Sequence, residues 1–388
     1  MTGIRDPLLQ GFEQGPIRPP SEAFSLLLRI TRNCPWNRCQ FCPVYKSEKF
    51  SRREVAEVLA DIDSMRAWYD ELKARSWKFG FGGSLHQSAL QAVYQNDPNN
   101  PFLYSLILFQ LGGAKTVFLQ DADSLIIQTG ELVKILKYLR EKFPEIARVT
   151  SYARTRTVAR KSLDELKPIR EAGLNRLHLG MESGSDQVLE LIKKGATQAE
   201  EIGAGEKAKS AGFELSEYVM PGLGGKKLSH LHALETARAL NRINPDFIRL
   251  RSLAIPPRAP LCQSWKDGEF QTLNDVEMVK EIRLLLENLE GIASCFVSDH
   301  MLNLLPELEG KFPEDKTRLL GLCDKFLSLS PKDQLTFIIG RRTGNFEELD
   351  DLENPDLRTR VESIVSRLGL ENPGQAQEII QKIVENFI

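Results

Sequence analysis

The chain contains the stretch Asn33-Cys34-Pro35-Trp36-Asn37-Arg38-Cys39-Gln40-Phe41-Cys42, in which three of its six cysteines lie close together. The other three, Cys262, Cys295 and Cys323, are scattered through the C-terminal part of the 388 residues. A large chain with so few cysteines is unlike a disulfide-stabilised protein. The clustered cysteines therefore indicate metal binding, whereas the scattered ones are predicted to be buried structural thiols.

The spacing of the cluster is C-x(4)-C-x(2)-C. Three thiolates on one loop can bind three irons of a 4Fe-4S cluster and leave the fourth iron without a protein ligand. Thiolates also bind zinc, but a structural zinc site needs four ligands. The nearest histidine in sequence is His86, so a Cys3His zinc site is the alternative.

The cysteine loop follows a short apolar run, Phe24 to Thr31 (FSLLLRIT), which predicts a strand. A helical pattern begins at Ser51, the predicted N-cap, and its apolar residues recur on one face. Residues from about 74 to 113 break the pattern, and we interpret them as an insertion. The first unit of the fold is thus a strand, a loop and a helix.

From residue 116 onward strands and helices alternate. Together with the first, the predicted strands cover 24–31, 116–119, 148–152, 176–181, 213–220 and 247–253, and the predicted helices between them cover 130–143, 162–172, 185–194, 199–211 and 230–243. Repeated strand–helix units predict parallel strands with right-handed crossovers, in an open sheet or a barrel. Either architecture gathers its functional residues at the carboxyl ends of the strands.

The composition is that of a globular protein, with 41% hydrophobic residues and 51 Lys+Arg against 53 Asp+Glu, a net charge of −2. This balance gives no support to a nucleic-acid or anionic-membrane partner. Apolar runs such as Leu103 to Leu111 are too short to span a bilayer. The amino terminus lacks the pattern of a signal peptide, so we expect a cytoplasmic protein without a membrane span.

The cysteine loop after the first strand resembles that of the radical S-adenosylmethionine (SAM) enzymes. This resemblance identifies Cys34, Cys39 and Cys42 as ligands of a 4Fe-4S cluster and Phe41 as an aromatic shield beside it. The usual first gap in that family is three residues, and this chain has four. A loop can absorb one extra residue, so we treat the spacing as a variant.

Later segments resemble the SAM-binding motifs of the elongator-type and coproporphyrinogen-oxidase-type branch. The segment Met181-Glu182-Ser183-Gly184-Ser185 implies SAM contacts for Glu182 and Ser183. Lys194, with Lys193 as the alternative, matches the position of a cation for the SAM carboxylate, although cations at a helix end are also typical of a solvated surface. Met220, in an MPGL-type turn, and Ala254, in the segment expected to line the adenine, complete the set.

One motif departs from the family pattern. Where the family has a Gly-Gly-Glu or Gly-Gly-Gly run after the second strand, this chain has Leu119-Gln120-Asp121-Ala122-Asp123-Ser124. We predict that the Asp121 carboxylate replaces this contact with the SAM ammonium, and Asp123 is the weaker candidate. The alternative is that these residues cap a helix. Arg154 and Arg156 are further candidates for an anion.

The resemblance implies a partial (β/α)6 barrel over residues 24–265, after an N-terminal lead (1–23) and before a mainly helical C-terminal region (266–388). Helices are predicted there at 276–289, 315–329 and 375–388. His230 and His232 are expected at the surface or as capping residues.

The implied function is that of a radical SAM enzyme, an oxidoreductase-like protein. It would cleave SAM reductively at the cluster to a 5′-deoxyadenosyl radical, which abstracts hydrogen from a small-molecule or protein-borne substrate. A flavodoxin or ferredoxin would supply the electron. The alternatives are an enzyme that modifies tRNA or other RNA, which the net charge disfavours, and a non-catalytic, zinc-stabilised binding protein.

Overall fold

A computed structural model describes residues 9–370, 376, 379, 380 and 382. Within these residues the strands are β1 (Leu26–Arg29), β2 (Thr31–Arg32), β3 (Ser51–Arg52), β4 (Thr116–Gln120), β5 (Arg148–Ala153), β6 (Leu174–Glu182), β7 (Glu214–Val219), β8 (Phe247–Leu250), β9 (Cys295–Val297) and β10 (Gly310–Lys311).

The helices of the same residues are α1 (Val55–Lys78), α2 (Gln87–Asn96), α3 (Pro101–Leu111), α4 (Thr129–Lys142), α5 (Thr155–Arg160), α6 (Leu163–Glu171), α7 (Asp186–Leu191), α8 (Gln198–Ser210), α9 (Gly225–Ile243), α10 (Leu261–Lys266), α11 (Asp275–Glu287), α12 (Lys316–Ser328), α13 (Pro331–Arg342) and α14 (Pro355–Arg367). No helix of the described chain combines the length and the apolar character needed to cross a membrane.

The strands form a mainly parallel sheet in the order β1-β4-β5-β6-β7-β8-β9-β10. β4 pairs in parallel with β1 and β5, and β8 pairs in parallel with β7 and β9. The α/β class and all six predicted strands are confirmed. The short strands β9 and β10 were not predicted, and they extend the sheet with a parallel and an antiparallel pairing.

The chain divides into two compact units. The first comprises the chain up to Pro35, Ser47–His178 and Lys207–Glu214. In it, the apolar face of α1, including Val58, Ile62 and Met65, is fully buried. The predicted insertion contains the helices α2 and α3, which pack against each other and against α1.

The predicted N-cap at Ser51 is wrong. Ser51 lies in β3, which pairs with β2 in an antiparallel ribbon. The helix begins four residues later, and its start is held by the Glu57 carboxylate, which accepts from the Glu54 amide at 2.9 Å. Ribbon pairing satisfies the backbone of Ser51 and Arg52, so the helix does not extend to them.

The second unit comprises Trp36–Lys46, Leu179–Glu206 and the chain from Leu215 onward. Two of the predicted C-terminal helices are confirmed as α11 and α12, and α11 packs against both α9 and α12. α13 and α14 were not predicted. The predicted helix at 375–388 lies mostly outside the described residues.

A close contact in this unit fixes the loop 36–46 against the turn that follows α7. The Trp36 indole Nε1 donates to the Lys193 carbonyl at 2.8 Å. Gly195 has a φ of +73°, and a Cβ atom there would lie 2.3 Å from the Trp36 ring. The indole thus occupies the space that any side chain at position 195 would need.

We expect Gly195→Ala to displace Trp36 and to lower the free energy of unfolding by about 1–3 kcal/mol, because it adds a strained left-handed alanine to a steric clash. Hydrogen exchange should become faster in peptides that cover 36–46. Gly203→Ala is the matched control, because Gly203 lies in α8 and a Cβ atom there would have no neighbouring atom within 4 Å. It should stabilise the helix by roughly 0.5–1 kcal/mol. Equal effects of the two substitutions would contradict this account of the contact.

Glu217, on β7, is fully buried. Neither of its carboxylate oxygens has a hydrogen-bond partner within the part of the chain that the structure describes. Burial raises the pKa of Glu217 well above its ordinary value, and the nearby Glu201 carboxylate raises it further. The folded protein therefore holds a proton on Glu217 at pH values where the unfolded chain has released it.

Since the folded state binds this proton more tightly, stability should fall as the pH rises above the ordinary range of a glutamate. We expect Glu217→Gln to leave stability nearly unchanged at pH 4 and to raise it at pH 8 by roughly 1–3 kcal/mol. Chemical denaturation at the two pH values measures the difference. The exposed Glu269 provides the control, and a pH-independent effect of Glu217→Gln would refute the assignment.

Candidate functional site

Cys39 and Cys42 lie on the loop 36–46 and are partly exposed. The Lys46 ammonium donates to the carbonyls of Asn37 (3.0 Å) and Cys39 (2.8 Å). Asn37 lies in the four-residue gap between the first two cysteines and has a φ of +48°, a conformation that asparagine tolerates well. The variant spacing is thus accommodated by a left-handed turn that Lys46 stabilises.

The backbone around Gln40 anchors this loop to two other segments. The Gln40 amide donates to the Ile192 carbonyl at 2.8 Å, and the Gln40 carbonyl accepts from the Leu261 amide at 2.9 Å. Phe41 packs against a buried cluster that includes Met220 and against a second that includes Ile255. The loop therefore contacts three of the segments predicted to bind SAM.

Cys34 directly follows Asn33 and is partly exposed. The Asn33 amide donates to Asp121 Oδ2 at 3.0 Å, and Asn33 has a φ of +68°. The same oxygen accepts from Arg29 Nε at 2.9 Å and Nη2 at 2.5 Å. Asp121 is fully buried, so its carboxylate orients the start of the cysteine loop. Its contact with SAM remains an untested prediction.

Asp123 acts as a helix cap, the alternative considered from the sequence. Its carboxylate accepts from the Arg154 amide at 3.2 Å and from the Thr157 hydroxyl at 2.5 Å. The helix it caps is α5, across the next strand, and not the one that follows it in sequence. Burial raises the pKa of Asp123 to about 6. The side chains of Arg154 and Arg156 are partly buried, and their predicted role is untested.

Glu182 and Lys194 form an ion pair, with Nζ 3.1 Å from Oε1. Each side chain is 13% exposed. The pair lies over Gly180, where a Cβ atom would be 2.4 Å from Glu182 Oε1 and 3.0 Å from Lys194 Nζ. Lys193, the alternative cation, is exposed on the surface. The structure therefore brings Lys194 to Glu182 and leaves Lys193 outside.

The turn after β6 is connected to the turn after β7. Glu182 has a φ of +62°, and its carbonyl accepts from the Met220 amide at 3.0 Å. Met220 is buried. Ala254 is partly exposed and lines a cavity of about 70 Å³. Met220 is thus held directly beside the Glu182 turn.

Ser183 and His232 are both buried, and their side chains are joined by a hydrogen bond of 2.8 Å. The Ser183 hydroxyl also accepts from the Ser185 amide at 3.0 Å. The expectation that His232 lies at the surface or caps a helix is wrong, whereas His230 is exposed as expected. A contact between Ser183 and SAM remains a prediction.

The scattered cysteines differ from those of the loop. Cys262 and Cys323 are buried, as predicted, and Cys295 is partly buried on β9. Burial raises the pKa of Cys323 to about 12, so this thiol is protonated and unsuited to metal binding at neutral pH.

The donor set fits an iron–sulfur cluster by its chemistry, because three thiols on one loop provide the soft ligands that iron–sulfur clusters need. In the described residues, no group of three or more His, Cys, Asp or Glu side chains is gathered closely enough to hold a metal ion. The Glu182–Lys194 pair is complementary to an amino-acid zwitterion, because it offers a carboxylate for an ammonium and an ammonium for a carboxylate.

Comparison with known proteins identifies related sequences. The heme chaperone HemW of Bacillus subtilis is 24% identical over 179 residues, which cover 46% of this chain and 46% of the relative. A tRNA uridine(34) acetyltransferase of Methanocaldococcus infernus is 25% identical over 262 residues, which cover 64% of this chain and 46% of the relative. The chain thus spans just under half the length of each of these curated relatives.

Among solved structures, coproporphyrinogen III oxidase of Escherichia coli is 15% identical, with a TM-score of 0.42 over 68% of this chain and 52% of that one. The family model of the radical SAM superfamily matches residues 94–237. Residues 94–237 of this chain therefore match the radical SAM superfamily, and the related sequences are similar to the chain at 24–25% identity.

Proposed function

We propose that this chain is a radical SAM enzyme that abstracts hydrogen from a small molecule. The observation that carries the proposal is the Glu182–Lys194 pair, held over Gly180 and next to the turn that anchors the cysteine loop. The proposed site for the methionyl end of SAM would thus lie next to the loop that carries Cys39 and Cys42, within the second unit. The match of residues 94–237 to the radical SAM superfamily supports the same chemistry.

The proposed roles follow from the chemistry of each group. Cys34, Cys39 and Cys42 would hold a 4Fe-4S cluster, which when bound supplies the electron for cleavage of SAM. Glu182 would accept from the SAM ammonium, and Lys194 would donate to the SAM carboxylate. Main-chain groups near Met220 and Ala254 would line the rest of the cofactor. A flavodoxin-type or ferredoxin-type protein would deliver the electron.

The C-terminal region would contribute to the substrate pocket. The cavity beside Ala254 is also lined by Asp275 and Arg342, which form an ion pair. Apolar side chains, among them Met278 and Ile338, line other parts of it. A cavity lined by both an ion pair and apolar side chains suits a small amphipathic molecule better than a polymer.

Anaerobic reconstitution with iron and sulfide tests the proposed cofactor. We expect a broad absorption near ~400 nm, a general property of iron–sulfur clusters, and release of deoxyadenosine when SAM and dithionite are added. Cys39→Ala and Cys42→Ala should abolish both signals, whereas Cys295→Ala should retain them. Bound zinc without iron or sulfide would instead favour the zinc-stabilised binding protein.

Substitution of the two neighbouring lysines tests the SAM site. Lys194→Gln removes a charged hydrogen-bond donor, so the Kd for SAM should rise about 10- to 100-fold. Lys193→Gln is the matched control and should change the Kd less than about threefold, because Lys193 is exposed. Calorimetric titration with SAM measures both, and an equal loss of affinity would argue against the assigned role of Lys194.

RNA modification is the second candidate, because relatives named tRNA uridine(34) acetyltransferase match this chain. The net charge of −2 opposes it, since binding to phosphates relies on lysine and arginine. A gel shift with bulk tRNA at increasing salt distinguishes the two. Salt-sensitive binding at micromolar protein would favour the RNA substrate, and no shift would favour a small molecule.

A further inference from the structure

His232 lies on α9 and has no role in the proposed chemistry, yet it is 1% exposed and contacts two of the turns assigned to SAM. Its Nδ1 is 2.8 Å from the Ser183 hydroxyl, and its Nε2 is 3.1 Å from the Met220 carbonyl. One imidazole ring therefore joins the turn after β6 to the turn after β7.

The hydrogen-bond partners determine the tautomer. A carbonyl oxygen only accepts, so Nε2 must carry the proton that is donated to Met220. In the neutral ring Nδ1 is then an acceptor, and the Ser183 hydroxyl donates to it. The Ser183 oxygen in turn accepts from the Ser185 amide at 3.0 Å. Each donor in this chain of bonds faces an acceptor.

A further hydrogen bond closes this set of contacts, because the Met220 amide donates to the Glu182 carbonyl at 3.0 Å. The closed network runs from Glu182 through Ser183 and His232 to Met220 and back to Glu182. It therefore includes the residue whose side chain pairs with Lys194. The orientation of that carboxylate thus depends on the turn that His232 holds.

Neighbouring groups on α9 and α11 hold the two turns around the imidazole in place. Thr236, one helical turn beyond His232, accepts from the Gly184 amide at 2.9 Å. Glu281, on α11, lies 3.7 Å from Nε2 and accepts from the Gly222 amide at 2.6 Å. Burial lowers the pKa of His232, although the Glu281 charge opposes this shift. Helix α9 also approaches so closely that a Cβ at Gly184 would lie 2.4 Å from the Glu235 carbonyl oxygen.

We propose that His232 is a positioning residue, which clamps the Glu182–Ser185 turn to the Met220–Gly222 turn and thereby orients Glu182 for the ammonium of SAM. The role of His232 toward SAM rests on the proposed function, whereas the hydrogen bonds that join the two turns are observed without any ligand. His232 touches neither SAM nor the reacting atoms in this assignment.

The test compares His232→Phe, which fills the space of the ring without hydrogen bonds, with His232→Gln, whose amide can donate and accept. His230→Phe is the matched control, because His230 is exposed on the same helix. Hydrogen exchange of the purified full-length chain, without iron or SAM, is measured in peptides covering 182–185 and 220–222. Titration with SAM then gives the Kd for each variant.

We expect His232→Phe to speed exchange at least tenfold in both segments and to raise the Kd for SAM about tenfold. His232→Gln should recover much of each loss, and His230→Phe should match the wild type. Unchanged exchange in His232→Phe, or a change spread evenly over the chain, would overturn the clamp. Wild-type affinity in His232→Phe would overturn the positioning role.

Ser183→Ala serves as a milder variant if His232→Phe fails to fold, because it removes the Ser183 bonds to Nδ1 and to the Ser185 amide but keeps the bond from Nε2 to the Met220 carbonyl. It should loosen 182–185 more than 220–222, and equal loosening or none would count against the clamp. If the wild type does not bind SAM, the proposed function fails, while the exchange measurements still accept or reject the clamp. The two failures are therefore distinguishable.

Discussion

The hydrogen bond from the Met220 amide to the Glu182 carbonyl joins the ends of β6 and β7, which are neighbours in the sheet. Because Glu182 has a left-handed backbone, the chain turns sharply at this point. The carboxylate of Glu182 is thereby brought to Lys194, although the two residues are separated by helix α7. The position of the Glu182–Lys194 pair depends on this main-chain contact together with the hydrogen bonds of His232.

Close packing supports this contact at three glycines whose neighbouring atoms lie close to the backbone. Gly180 leaves space for the Glu182–Lys194 pair, Gly184 for the backbone of α9, and Gly195 for the Trp36 ring. At each of these places a side chain or helix lies where a Cβ atom would otherwise be. The candidate site therefore depends on the missing Cβ atoms of these glycines as well as on its charged groups.

The order of strands and helices was predictable because strands such as β1 and β4 are short apolar runs and the helices between them have regular apolar spacing. β9 and β10 were missed because segments of three and two residues carry no period that can be recognised. Ser51 was wrongly predicted as an N-cap because a serine before a helical pattern is typical of a cap. The antiparallel strand pairing of Ser51 with Arg32 cannot be inferred from the sequence. Within the candidate site, the resemblance named Glu182 and Lys194, and the structure pairs the two side chains, while their contact with SAM stays a prediction.

His232 was missed for a different reason. The segment HLHALETARAL (230–240) contains two histidines two residues apart, and only one of them can lie on the buried face of the helix. The spacing of the buried Ala233, Thr236, Ala237 and Leu240 places His232 on the inner face of the helix. The helical periodicity of the sequence therefore predicts that His232 is the buried histidine. For Asp121, the sequence suggested a ligand, but its partner Arg29 is 92 residues away and cannot be inferred from local pattern.

The contact between Trp36 and Gly195 has a consequence for how this chain can diverge. The two positions are far apart in sequence but share one volume, so neither can enlarge unless the other shrinks. Among descendants of this chain, a side chain at position 195 should occur together with a smaller residue at position 36. Position 36 in the cysteine loop and position 195 in the turn after α7 are therefore expected to covary.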